Sequence, residues 1–301
     1  MRILRIGTRR SRLATVQAEA VRELLRRQGV EAELVPMTTS GDEGTPASDS
    51  PTGLKGLWID TILEGLRTGE LDMAVHSAKD LPAEEDEDLT IGAVPLREDP
   101  RDVAVFADRR ALGPGMVVGT SSIRRRALIQ AAFPGIAVAD MRGNVDTRLR
   151  KLEAGEVDAL LLAAAGLARL GLAPQIARPL AVDQMLPAPG QGCLAVQHRK
   201  GDRDVGAVLT LLDHHSSHVA LDAERSLMRR LGGGCALPLG ALAVMRRDIV
   251  RLAACVATPD GAKVVRGAAE SSDPQRAVAM VADQLAAGGA EAILDEARRS
   301  I

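Results

Sequence analysis

A strand–helix–strand alternation opens the chain, and it limits the possible folds more than any other feature. Residues 2–6 read as a strand. Ser11 sits in a capping position ahead of Leu13, Val16, Ala20 and Leu24 at helical spacing, and Gly29 closes the helix. Residues 31–37 read as the next strand. A helix between two strands returns the chain in its original direction, so the strands pair in parallel. A helix over 57–67 and a strand over 72–77 extend the unit, and the Gly/Ser/Thr/Pro/Asp-rich stretch 38–56 reads as a long mobile loop.

The alternation restarts beyond residue 98, with strands at 117–119, 136–139 and 159–163 and helices at 122–133 and near 144–153. Segments 98–102 and 186–192 read as crossovers. The stretch 214–218 precedes a helix that runs through Leu231. After residue 235 the pattern changes to strands at 241–245, 249–256 and 263–266 joined by turns, then a helix over 274–287. The fold class is α/β, with two α/β domains and a small C-terminal α+β domain. The length of 301 residues fits two domains or three smaller ones.

Composition narrows the function. Aromatic residues are Trp58, Phe106 and Phe133 alone, so the cores are aliphatic and no base-stacking platform is available. A net charge of −2 argues against a generally basic nucleic-acid binder, and no basic recognition helix is legible. The N-terminus lacks an apolar run of signal-peptide length, and the longest apolar stretch, 159–168, falls short of the ~20 residues that span a bilayer. A cytoplasmic protein without membrane contact is expected. Cys193, Cys235 and Cys255 form no CxxC pair, and His214 and His218 lack the HExxH glutamate, so neither a disulfide framework nor a metal site is indicated.

Positive charge is local. Gly119-Thr120-Ser121-Ser122-Ile123-Arg124-Arg125-Arg126 lies where a strand feeds a helix; amides and hydroxyls there attract anions, and the guanidinium forks of Arg124 and Arg125 suit carboxylate or phosphate. Arg142-Gly143-Asn144-Val145-Asp146-Thr147-Arg148 follows another strand. Arg9 and Ser11 occupy the first strand-to-helix turn, where α/β ligand sites gather, and Arg169 follows a fourth strand. Basic groups at several strand ends imply a polyanionic ligand. His76-Ser77-Ala78-Lys79-Asp80 presents a carboxylate at a strand end that can stabilise a cation or move a proton. Three consecutive glycines before Cys235 mark a backbone that something approaches closely, which sets this thiol apart from Cys193 and Cys255. Walker A, GxSxG and GxGxxG sequences are absent.

Taken together these blocks resemble the porphobilinogen deaminase (hydroxymethylbilane synthase) family. The matching stretches are 6–11, 76–82, 97–102, 119–125, 142–148, 165–171, 189–192 and 233–235, in the family's order and across nearly the whole chain. The resemblance implies two α/β domains like those of periplasmic binding proteins facing a cleft, over 1–98 with 188–214 and over 99–187, and an α+β domain over 215–301 carrying Cys235. It implies a dipyrromethane cofactor held by a thioether to Cys235, to which four porphobilinogens are added with loss of ammonia before the linear tetrapyrrole hydroxymethylbilane is released. By the match, Asp80 is catalytic, and Ser77, Lys79, Asp80, Thr120, Ser122, Arg124, Arg125, Arg142 and Gly143 hold the cofactor. Arg9, Ser11, Lys55, Asn144, Arg148, Arg169 and Gln191 hold substrate and growing chain. No metal, nucleic acid or membrane is implied, and a monomer is expected. Trp58 and Gln197 stand where the family commonly has Phe and Glu. The competing reading is a non-catalytic two-lobed binding protein for a small anion; the Gly-flanked Cys235 counts against it.

Overall fold

The computed structural model describes residues 2–37, 60–84, 86–108, 111–172, 177–232 and 237–299. Lys55, Trp58, Cys235 and the stretch 38–56 lie outside the described residues. Contacts divide the chain into two compact units, Met1–Arg97 with Cys193–His218, and Glu98–Gly192 with Val219–Ile301.

The first unit comprises β1 (Leu4–Arg9), α1 (Arg12–Arg27), β2 (Ala32–Met37), α2 (Asp60–Thr68), β3 (Met73–Ser77), β4 (Leu89–Ala93), β10 (Leu194–Arg199) and α6 (Arg203–Thr210). Its sheet runs β2-β1-β3-β10-β4. β2, β1 and β3 are parallel; β10 is antiparallel to both its neighbours. Leu4, Ile6, Met73, Val75, Leu194 and Val196 form one core with Val21 and Leu25 of α1 and Val205 and Leu209 of α6. Ile62 and Leu66 of α2 form a second with Leu71, Ala74 and Leu89.

The second unit contains β5 (Asp102–Phe106), β6 (Val117–Gly119), α3 (Ile123–Ala132), β7 (Ala137–Ala139), α4 (Val145–Glu153), β8 (Ala159–Ala163), α5 (Ala164–Arg169) and β9 (Ala177–Pro179). The order β7-β6-β8-β5-β9 repeats the first pattern: three parallel strands, one antiparallel strand, then a fifth. In each sheet the antiparallel strand follows a chain crossing between the units, β5 just after residue 98 and β10 just after residue 192. The expected parallel pairing therefore holds for three strands of each five. β5 escaped the sequence reading because all five of its residues are buried, which erases the alternation of a one-faced strand.

The rest of the second unit is α7 (His215–Arg230) from Val219 onward, an antiparallel meander of β11 (Leu239–Arg246), β12 (Ile249–Ala257) and β13 (Val264–Ser271), then α8 (Pro274–Ala287) and α9 (Ala290–Arg299). Arg247 and Asp248, both at positive φ, make the two-residue β11–β12 turn. Cys255 and Ala257 of β12 join the core built on Val118, Leu128 and Leu161. On the outer edge of β13 the Gln284 side chain copies a strand: its Oε1 accepts the Ala268 N–H at 2.9 Å and its Nε2 donates to the Ala268 carbonyl at 3.2 Å.

Helix caps follow the sequence. The Ser11 hydroxyl accepts the Ala14 N–H, Asp273 accepts from Gln275, and α8 carries Pro at its start. The buried stripe of α1, however, is Gln17, Ala18, Val21 and Leu25, with Ala20 exposed. This is one residue round from the expected face: Ala18, Val21 and Leu25 pack into the core of the sheet, and Gln17 bonds to the end of β3. Among the described residues no single helix is long and apolar enough to cross a membrane.

Candidate active site

In the first unit, β1 and β3 are parallel, with Ile6 opposite Met73, so their carboxyl ends deliver residues to the same edge of the sheet. β1 ends in Arg9, and Ser11 caps the helix that follows. β3 ends in Ser77 and passes into a single 3-10 turn, Ala78–Asp80. Two hydrogen bonds fix that passage. The Gln17 amide of α1 donates to the Ser77 hydroxyl at 2.8 Å, and the Ala78 N–H donates to the Cys193 carbonyl at 3.1 Å. Lys79 and Asp80 are left half-buried on the turn.

His76 lies beneath it, buried, one residue before the strand ends. Burial pulls its pKa down to about 4; Asp80 opposes the shift, Arg9 reinforces it, and Gln197 opposes it. Arg9 and Asp80 thus both act on one buried ring. Gln197 is itself buried on β10, two positions along from Ala195, the strand partner of His76.

In the second unit, β6 ends at Gly119 and the next three residues cap α3. The Thr120 hydroxyl, buried, accepts the Ser122 N–H at 3.2 Å, and the Ser122 hydroxyl accepts the Arg125 N–H at 3.4 Å. β7 ends at Ala139 and leads through Arg142 to Gly143, whose φ of +112° suits glycine, and to Asn144 at the head of α4. The Arg148 Nε donates to the Gly143 carbonyl at 2.7 Å. Desolvation, reinforced by the charge of Arg125, holds the Arg148 pKa below the usual guanidinium value. Arg142 is 75% exposed and pairs with Asp140 at 3.0 Å.

Arg124 and Arg125 turn inward onto Asp102 of β5. Arg124 Nη1 donates to Oδ2 at 2.7 Å and to the Leu186 carbonyl at 2.5 Å. Arg125 donates to Oδ1 from Nη2 at 2.8 Å and from Nε at 3.1 Å, and from Nη1 to the Leu161 carbonyl at 3.0 Å. Gln191 Nε2 adds a bond to Oδ1 at 2.8 Å and one to the Pro100 carbonyl at 2.8 Å. Burial alone would raise the pKa of Asp102, but the two arginines and these hydrogen bonds hold it far below the carboxylate range. The Arg169 Nη2 donates to the Gly192 carbonyl at 2.7 Å. The sequence reading supplied the forks but missed the carboxylate between them, although Asp102 closes the 97–102 stretch.

Asp102, Gln17 and His76 are structural partners that sequence reasoning left without a role. Among the described residues no group of three His, Cys, Asp or Glu side chains could hold a metal. His214 and His218 turn to Ser217 and Asp213 at 2.9 and 2.7 Å.

The donor set suits a polyanion of extended shape. Two strand-to-helix turns offer hydroxyls and an open glycine backbone, Arg142 extends from one of them, and the cationic Arg124, Arg125 and Arg148 lie close behind. A dipyrromethane, with carboxylates on both rings, fits this chemistry.

Comparison with known proteins agrees. Residues 4–207 match the family model "Porphobilinogen deaminase, dipyromethane cofactor binding domain" and residues 219–287 match "Porphobilinogen deaminase, C-terminal domain". The chain is 44% identical to the porphobilinogen deaminase of Burkholderia thailandensis, over 97% of this chain and 92% of that protein. It is 43% identical to that of Thiobacillus denitrificans, over 98% and 99%. Among solved structures, substrate-binding domain 2 of Lactococcus lactis GlnP in an open conformation aligns with a TM-score of 0.43 at 10% identity, over 76% of this chain and 90% of that one. With both family models matched in sequence order and relatives at 43–44% identity over nearly the whole chain, the chain belongs to the porphobilinogen deaminase family.

Proposed function

We propose that this chain deaminates porphobilinogen and joins four molecules head to tail on a dipyrromethane primer, held by a thioether to Cys235, then releases hydroxymethylbilane. Family membership makes the chain a transferase of tetrapyrrole biosynthesis, with a domain for a dipyrromethane cofactor. The observation that carries the finer reading is the setting of Asp80: a half-buried carboxylate on a turn pinned at Ser77 and Ala78, above an uncharged histidine.

The dipyrromethane, when bound, would supply the free pyrrole carbon to which the first unit is joined, each later unit joining the terminal ring of the growing chain. Asp80 hydrogen-bonds pyrrole N–H groups and stabilises the electron-poor cation left when a substrate loses ammonia. A fixed carboxylate suits that task because its charge is aimed before the charge it meets develops. Ser77, Lys79, Thr120, Ser122, Arg124, Arg125, Arg142 and Gly143 hold the primer. Arg9, Ser11, Lys55, Asn144, Arg148, Arg169 and Gln191 receive substrate and growing chain. Arg124 and Arg125 contribute chiefly as a charged frame for the head of α3, braced by the neutral Gln191, since Arg124 Nη1, the Arg125 donors and Gln191 Nε2 are engaged on Asp102, Leu161, Leu186 and Pro100. The domains run over 1–98 with 188–214, 99–187 and 215–301, and the protein works as a cytoplasmic monomer.

Intact mass spectrometry tests the reading. The purified protein carries a two-pyrrole adduct that Cys235→Ser lacks; an unmodified mass and no ammonia release from porphobilinogen would instead mark a plain anion-binding protein. Asp80→Ala keeps its fold and adduct and loses turnover about 100-fold or more. Near-normal turnover sinks the role given to Asp80.

A further inference from the structure

Two backbone donors that cannot bond each other meet a single buried carboxylate in the second unit. β11 is an outer strand of its sheet. Its Ala241 N–H donates to the Pro187 carbonyl at 2.9 Å, so the segment 187–190 lies along that edge. Further along, strand and segment both present N–H groups, at Ala243 and Gly190. Glu224 of α7, fully buried, bridges them: Oε1 accepts from Ala243 at 2.7 Å and Oε2 from Gly190 at 2.6 Å.

An ionised carboxylate meets this demand because it offers two acceptor oxygens and no donor. An amide of the same shape would turn its NH2 group against one N–H. A buried donor turned against another donor forfeits a hydrogen bond that water does not replace.

The bridged segment does not end at Gly190. The Gln191 N–H closes a turn on the Ala188 carbonyl at 2.9 Å, and the Gln191 side chain enters the Asp102 cluster. Asp102 in turn orients Arg124 and Arg125 in the first turn of α3, directly after Thr120 and Ser122. Glu224 therefore stands at one end of a chain of hydrogen bonds whose other end is the anion-binding turn. α7 itself leads, beyond Arg230, into the glycines before Cys235.

We propose that Glu224 is a positioning residue for the reaction: its carboxylate sets the Gly190–Gln191 turn against β11 and so holds the Asp102 clamp and the head of α3 in register. The functional part of this rests on the transferase reading above. The bridge itself does not.

The tests separate the two. Amide hydrogen exchange on the unsubstituted holoprotein finds Gly190 and Ala243 slow and opening together; unequal opening overturns the bridge. In Glu224→Gln, exchange at both sites accelerates about tenfold or more, consistent with the loss of one buried hydrogen bond. Unchanged exchange again overturns it. In steady-state assays with porphobilinogen, Glu224→Gln lowers kcat/KM about tenfold, and the Glu224→Gln/Gln191→Ala double variant is no worse than the poorer single variant. Losses that multiply, or a lower Tm with kcat and KM unaltered, reduce Glu224 to a stability residue and overturn the positioning role. If the protein carries no adduct and releases no ammonia, the transferase reading fails while the exchange result still decides the bridge.

Discussion

His76 shows how one buried side chain couples chemistry to stability. In the unfolded chain a histidine titrates near its ordinary value of 6.5, whereas in the fold the pKa is about 4. The unfolded state then binds more protons between those values, so His76 is compatible with full stability above pH ~6.5 and destabilises the fold as pH falls toward 4. The loss amounts to about 3 kcal/mol at the acid end. Urea midpoints measured from pH 7 to pH 4 should fall less steeply for His76→Gln than for the parent; parallel curves would show that the ring titrates normally. The same ring explains what the sequence could and could not disclose at this scale. Asp80, Arg9 and Arg142 were legible because each follows a strand in a recognisable block. Asp102, Gln17 and Glu224 were not, since their partners lie far along the chain: Arg124 and Arg125 for the first, Ser77 for the second, Gly190 and Ala243 for the third. Nothing local marks a carboxylate as buried when what neutralises it arrives from another element.

At the scale of elements, helices bounded by caps and glycines were legible almost to the residue, as with α8, while β5 and β10 were not. Both are buried strands set beside crossings, and burial on two faces removes the period that identifies a strand. The crossings themselves are tightly built. Gly192 has a φ of +89°, and a Cβ there would lie 2.5 Å from the Glu98 carbonyl oxygen. The Glu98 N–H also donates to the Gly192 carbonyl at 3.3 Å, which Arg169 approaches from another side. Gly192→Ala therefore meets both an unfavourable backbone region and a clash with main-chain atoms that have little room to move. A loss of about 2 kcal/mol or more in unfolding free energy is expected. Gly113→Ala is the control, since a Cβ at that position has open space around it, and it should be neutral within about 0.5 kcal/mol. Equal effects at both sites would show that the crossing tolerates displacement.

For the whole molecule, charge distribution matters more than total charge. The net charge is −2, yet Arg124, Arg125, Arg142 and Arg148 gather at two neighbouring strand ends of one sheet. Attraction for carboxylates is then local and open to screening at the exposed Arg142 and at the half-buried Arg148 that receives substrate in the proposed reaction, while the buried Asp102 cluster is shielded from salt. Raising ionic strength from 0.05 to 0.5 M should raise the KM for porphobilinogen several-fold and leave kcat within about twofold. A KM insensitive to salt would mean that desolvated contacts alone hold the substrate.

The bridging of β11 and the strand mimicry of Gln284 on β13 have a consequence beyond the reaction. A three-stranded sheet has two outer strands, and an outer strand with free N–H and C=O groups is a template on which another copy can add a strand. Here Pro187 and Glu224 take up donors on one outer strand, and the Gln284 amide takes up both groups of Ala268 on the other. The bonds that shape the C-terminal domain thus also guard it against self-association, and a chain that loses them faces aggregation as well as a misplaced turn.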